Sequence, residues 1–269
     1  MNKRIRNILL KEWAVMASSI NNALFITLLP LLITGQALFF IWLIPRFVGE
    51  GVLESPMLQT ALGKLREALP QLVGLSAGEQ FQVLLLQQFN LYLLLIPTMI
   101  AIGFATFSIV EEKQARSLEP LLATPVRTWE LLLGKALSGA IPALVITWLC
   151  AGVFLLSAVG LGWKDLLGSV LTPSWFITLF LLTPGVAVLS FLLGVVGSSR
   201  ASDPKSAQNI AMLVVLPVLA LIGVQVTGLV WLTPLLTLAL ALGIGTLDLF
   251  MLRVAVRLFR RETIVVQWR

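Results

Sequence analysis

Five stretches of this chain run for at least 28 residues without a charged side chain: Trp13 to Pro45, Gln80 to Val110, Ala136 to Trp163, Leu166 to Ser199 and Ser206 to Leu247. A membrane-crossing helix needs about 20 apolar residues, each adding about 1.5 Å along its axis. Four of the stretches fit one crossing each. The fifth has 42 residues, and as one helix it would extend about 63 Å, twice the ~30 Å hydrocarbon thickness. Folded back near Gly228 to Pro234 it gives two crossings, so the sequence predicts six. Composition agrees, because 58% of residues are hydrophobic and only 12% charged, about half the roughly 25% of soluble domains. So few charges cannot coat a soluble core of this size. The expected fold is an all-α integral membrane protein, with spans at about 22–45, 82–110, 136–160, 172–198, 207–229 and 232–253.

Charge asymmetry tests the count. Cytoplasmic segments of membrane proteins are enriched in Lys and Arg. Six spans place the N-terminal segment, residues 111–135, residues 200–205 and the 254–269 tail on one side with Arg253. Those segments hold fifteen basic residues, against Arg46, Lys64, Arg66 and Lys164 on the other side. Five spans would send the arginine-rich tail outside, against this bias. Both termini are therefore expected in the cytoplasm, with no cleaved leader because no small-residue cleavage motif follows the basic start. The net charge of +6 suits anionic lipid headgroups, and no nucleic-acid partner is read into it.

Several chemistries drop out. The chain has no histidine, which removes Ser-His and Cys-His nucleophiles, His-bound zinc and His-ligated haem. Cys150 is the one cysteine, so no internal disulfide or thiolate cage can form. Asp248 is the only acid at the edge of an apolar run, about one turn before Arg253, and is read as an interfacial carboxylate or a proton relay. Gln36, Gln87, Gln88, Asn90, Gln208, Asn209 and Gln225 are polar residues within spans, of which Gln36, Gln87, Asn90 and Gln225 are carried as pathway or interhelical candidates. Interior prolines at positions 30, 97, 142, 184 and 217 mark candidate kinks.

Outside the spans, residues 3 to 20 read as an amphipathic helix with Ile5, Ile8, Leu9, Trp13, Met16 and Ile20 on one face, lying along the cytoplasmic interface. In the 46–80 outer loop, Leu58, Ala61, Leu62, Leu65, Ala68, Leu69 and Leu72 recur at helical spacing. A short helix over the bundle or on the outer surface is expected.

Residues 111–135 differ from every other connection. The run Glu111-Glu112-Lys113 leads into Leu118-Glu119-Pro120-Leu121-Leu122-Ala123-Thr124-Pro125 and then Glu130-Leu131-Leu132-Leu133-Gly134-Lys135. Pro120 can start a helix, Pro125 must end or turn one, and Thr128 can cap the next. A short cytoplasmic helix offering leucines ringed by charge suits a partner's groove. Together with Ser199 to Gln208 and Pro217, this run resembles the membrane subunits of ABC-2 type ABC transporters over essentially the whole chain. The resemblance implies a permease of an export-type transporter, working as a dimer with a second copy or a paralogue, in the cytoplasmic membrane of a bacterium or archaeon. It implies that Glu111, Glu112, Leu118, Glu119, Leu121 and Leu122 couple to a separate ABC ATPase, with Pro120 and Pro125 shaping the segment. Arg127 stands where the family often has a serine cap, so Thr128 is expected to begin the third helix. The short turn between spans five and six disfavours long glycans as cargo.

Gly134-Lys135 is not a phosphate-binding loop, because Ala136 follows and Trp129 takes the earlier glycine position. No cofactor is expected on this chain; ATP and Mg would bind the partner ATPase. Two other readings remain open at this point. One is a membrane anchor or sensor that recruits a cytoplasmic ATPase without transport. The other is a membrane-embedded enzyme, which lacks any convergent nucleophile, base or metal constellation.

Overall fold

The computed structural model describes residues 3–18, 20–47, 49, 54–114, 128–200, 215–227 and 230–258, and these fold entirely as helices and turns. The helices are α1 (Lys3–Ser18), α2 (Ile20–Phe47), α3 (Pro56–Ala68), α4 (Ala77–Gln114), α5 (Thr128–Gly160) and α6 (Lys164–Val170). Next comes α7, a continuous helix of three parts: Pro173–Ile177, a wider π-helical section Thr178–Leu182, and Thr183–Arg200. The last two are α8 (Val215–Val226) and α9 (Pro234–Leu258). Five of them contain segments long and apolar enough to cross a membrane: Ile26–Phe47, Ala77–Ala105, Trp129–Gly160, Pro173–Gly197 and Pro234–Leu258. The described part of α8 is a shorter apolar helix.

Two helices form the axis of the bundle. In the apolar stretches of α4 and α7, 67% and 61% of residues are buried, against 22% in α2 and 11% in α9. Helices in lipid gain no hydrophobic drive from meeting one another, so close backbone approach has to supply the contact energy. Glycines make that approach. A Cβ on Gly194 of α7 would sit 2.6 Å from the Ala105 Cβ of α4, and one on Gly185 would sit 2.9 Å from Ile244 of α9. Gly139 of α5 likewise admits Phe104 of α4 at 3.1 Å.

The contacts also fix direction. Phe104 meets Gly139 while the Phe89 and Phe154 rings stack, so α4 and α5 are antiparallel. Gly194 meets Ala105 at one end, and Trp175 shares a cavity with Asn90 toward the other, so α4 and α7 are parallel. Gly185 meets Ile244, and the Ser174 hydroxyl donates to the Leu232 carbonyl, 3.0 Å away, just before α9. The last helix therefore also runs parallel to α7.

Local sequence explains the helix ends. Ser76 and Glu79 open α4 with a reciprocal capping box: Ser76 N–H donates to Glu79 Oε2 at 2.9 Å and Glu79 N–H to Ser76 Oγ at 3.3 Å. The end of α5 turns through Gly162 at φ +85°, with Trp163 N–H reaching Ala158 O and Gly162 N–H reaching Val159 O. That is a Schellman stop, and the left-handed φ favours glycine there. Within α7, Pro184 has no N–H to donate, and its ring crowds the preceding turn. The π section takes up the misfit, and both the Thr183 backbone N–H and its hydroxyl bond the Thr178 carbonyl. Leu179 O accepts from Trp148 Nε1 of α5 at 3.2 Å.

The periodic leucines of the outer loop occupy α3 and the 3-10 turn Pro70–Gly74, where Ala61, Leu62, Leu65 and Leu72 are fully buried. They share one apolar cluster with Phe81 and Leu84 of α4 and Trp163 and Leu166 beyond α5, so α3 packs on the end of the bundle. The amphipathic start is α1, and its apolar face turns to α5: Ile5 and Leu9 are buried, and Ile8 lies where a Cβ on Gly134 would be 3.0 Å away.

Candidate functional site

Two polar regions lie at opposite ends of the bundle. The first is the foot of α5. Lys135 is 2% exposed and Glu130 4% exposed, so both charges need partners inside the protein. Those partners come from α1. Lys135 Nζ donates to Glu12 Oε1 at 3.2 Å, and Arg4 lies 3.5 Å from Glu130 Oε2. Trp13 Nε1 adds a bond to the Ser138 carbonyl at 3.0 Å. These contacts and the Ile8–Gly134 approach join α1 to the first turns of α5 as one unit.

Residues 128–135, expected within the coupling segment, thus form the start of α5, and the described helix begins at Thr128. Glu111 and Glu112 fall in the last turn of α4, which ends at Gln114. Leu118, Glu119, Pro120, Leu121, Leu122 and Pro125 lie outside the described residues.

The second region is a small cavity of about 10 Å³ lined by Gln87, Asn90, Val170, Thr172, Ser174, Trp175, Gln225 and Leu232. It brings together three of the four pathway candidates, from α4 and α8. Gln87 Nε2 donates to the Ser169 carbonyl of α6 at 2.8 Å, and Gln71 Nε2 reaches Ser169 Oγ at 3.1 Å. Asn90 Oδ1, Gln225 Oε1 and Trp175 Nε1 are buried there without a protein partner. The set combines two acceptors and one donor and carries no charge, which fits a small uncharged polar group. Gln36 stands apart: it lines a separate cleft of about 420 Å³ between α2 and α4, together with Gln88 and Tyr92.

Asp248, expected at an interface or in a proton relay, faces α7. Its Oδ2 would lie 3.7 Å from a Cβ on Gly185 of α7, and its Oδ1 is buried without a hydrogen-bond partner. Other polar groups in the spans bond their own helices. Thr34, Thr98, Thr147 and Ser190 each donate to the carbonyl four residues back. Among the described residues no group of three or more His, Cys, Asp or Glu side chains is placed to hold a metal ion.

Sequence reasoning missed the roles of Glu12 and Trp175. Glu12 had a signal, since it is the only acid in the first 49 residues and, at about 100° per residue, it falls within the apolar face of α1, between Ile8 and Ile5. Trp175 carries no such mark.

Long apolar helices, a glycine-packed axis and charged ends define a multi-pass α-helical membrane protein. A family profile described as ABC-2 family transporter protein matches residues 6–256. The chain belongs to the ABC-2 transporter family. Comparison with curated proteins gave no match.

Proposed function

We propose that this chain is the membrane-spanning permease subunit of an ATP-driven exporter. It crosses the cytoplasmic membrane six times with both termini inside, and it forms the translocation pathway as a dimer with a second copy or a paralogue. The family match over residues 6–256 carries this reading. The parallel arrangement of α7 and α9 supports the count, because the chain must return across the bundle between Arg200 and Pro234. The apolar helix α8 is the described part of that return. In this topology the α1–α5 foot faces the cytoplasm with the fifteen basic residues, and α1 lies along that interface.

The chain has no nucleotide-binding loop of its own, so a separate ABC ATPase binds ATP and Mg and drives the cycle. Its motion enters through residues 111–130, with Leu118, Leu121 and Leu122 as anchors and Glu111, Glu112 and Glu119 orienting the segment. Alternating access then follows from movement at the bundle foot. Burying two leucines in a groove contributes about 3–6 kcal/mol before association costs, and aspartates there would force charge into an apolar site. The Leu121→Asp, Leu122→Asp protein should insert normally yet lose co-purification with the ATPase or lose transport-coupled hydrolysis. Full coupled activity in that variant, or ATP binding by the isolated permease, would overturn the reading.

A further inference from the structure

The cleft between α2 and α4 has a shape that points to its occupant. It runs along α2 from Ile33 to Ile44 and along α4 between Leu85 and Met99. Eleven helical steps span about 16 Å, roughly half of the ~30 Å hydrocarbon core. Ile44 lies close to the end of α2, where the Arg46 guanidinium sits 3.9 Å over the Trp42 ring, an arrangement suited to a membrane–water interface. The cleft therefore descends from that interface to the middle of the bilayer, the depth of one leaflet.

Its width suits a single extended chain. A volume of about 420 Å³ spread over about 16 Å leaves a cross-section of roughly 26 Å², whereas a helix of ~10 Å diameter needs roughly 79 Å². A single hydrocarbon chain fits along it, whereas a whole helix does not. The volume holds about fourteen groups of water or methylene size at ~30 Å³ each. Its lining is mainly apolar, with Tyr92 and Gln36 among the exceptions.

One wall residue departs from that pattern. Gln88 is 4% exposed, and its Oε1 and Nε2 are both buried without a hydrogen-bond partner. Bulk water is absent at this depth to satisfy them, and an unpaired amide in hydrocarbon is costly. A carboxamide is the complement of a carboxamide: its N–H donates to Oε1 and its carbonyl accepts from Nε2. Both polar atoms of Gln88 are enclosed, so the side chain has to turn toward the cleft to make this pairing.

We infer that the α2–α4 cleft binds the acyl chain of an amphiphile from the adjoining leaflet, with an amide at the head end of that chain pairing with Gln88. The inference rests on the bilayer placement proposed above and is independent of ATP coupling.

The test uses the full chain in lipid nanodiscs without nucleotide, and two photoreactive sixteen-carbon probes, one an acyl amide and the other a methyl ester. Crosslinks are mapped by peptide mass spectrometry. The amide probe should label residues 33–44 and 85–99 above the lipid-facing side of α9. Gln88→Leu keeps the volume and removes the orphan amide, so the protein should remain as stable to heat as the parent. Its cleft labelling by the amide probe should fall about tenfold, and labelling by the ester should hold. Even labelling of α2 and α9, equal amide labelling in Gln88→Leu, or a Tyr92→Cys crosslink to a second copy in place of lipid labelling would overturn the proposal. Loss of ATPase coupling in the leucine variants bears only on the transport reading, so the two fail separately.

Discussion

The Nζ of Lys135 lies 3.2 Å from Oε1 of Glu12, although 123 positions separate the two residues in the chain. Lys135 is almost wholly enclosed and Glu12 nearly so, with side-chain exposures of 3% and 13%. Taking two ions out of water is costly, and a buried pair of this kind contributes less to net stability than to a unique geometry. Here that geometry fixes α1 against the start of α5, next to the segment proposed to receive the ATPase.

Removing one ion of the pair should therefore hurt more than removing both. Glu12→Gln takes the Glu12 carboxylate away from a buried ammonium and should destabilise the protein by about 3 kcal/mol. The double variant Glu12→Leu, Lys135→Leu should recover most of that loss. Thermal unfolding of the purified proteins in detergent measures both. A double variant no more stable than Glu12→Gln would mean that the pair is not the constraint described.

The α4–α7 axis makes a steric prediction. Gly194→Ala brings two Cβ atoms to a separation of 2.6 Å in the unrelaxed backbone, and overpacking of this kind costs about 1–3 kcal/mol. Ala105→Gly should restore the Gly194→Ala protein by removing the atom that it strikes. The midpoints of all four members of this double-mutant cycle check the contact directly. Additive losses would place the damage elsewhere.

Sidedness is open to chemical labelling. In a Cys150→Ser background, Ser76→Cys and Ser202→Cys should react from opposite sides of the membrane. An impermeant thiol reagent on intact cells should reach position 76 and miss position 202. Labelling of both from outside would sink the six-span topology.

Asp248 faces α7 with one oxygen unpartnered. Asn has the same shape and carries no charge, so Asp248→Asn should fold at least as stably as the parent. Its ATP-dependent flux should stay within a few-fold. Loss of flux at normal expression and assembly would assign this carboxylate a part in the transport cycle.

Much of the architecture could be read from where charges are missing. Uninterrupted apolar runs need no tertiary information, because the bilayer itself sets the length of each helix. The family was legible in residues 111–135 for a different reason: a motif of this kind is local in sequence. Pairing between helices was not legible. Periodicity tells which side of α1 is apolar, but not that this side meets Gly134 and Ser138 rather than lipid. The same limit hid the convergence of Gln87, Asn90 and Gln225 on one cavity while Gln36 lines another, since polarity marks a residue without naming its neighbour. The distance from Asp248 to Arg253 along the chain likewise does not tell that this side of α9 meets Gly185.

The π section of α7 acts as a clock setting for everything that follows it. Each residue of an α-helix advances its side chain by about 100° around the axis, and the wider turn at Thr178–Leu182 takes in one residue beyond the α-helical count. Gly185 and Gly194 keep their appointments with Ile244 and Ala105 only at that phase. Were the same residues wound as a regular α-helix, the surplus residue would swing the Thr183–Arg200 part of α7 by about 100°. Both glycine notches would then point away from the helices they now admit. The wide turn thus absorbs one surplus residue and in doing so keeps three helices in angular alignment.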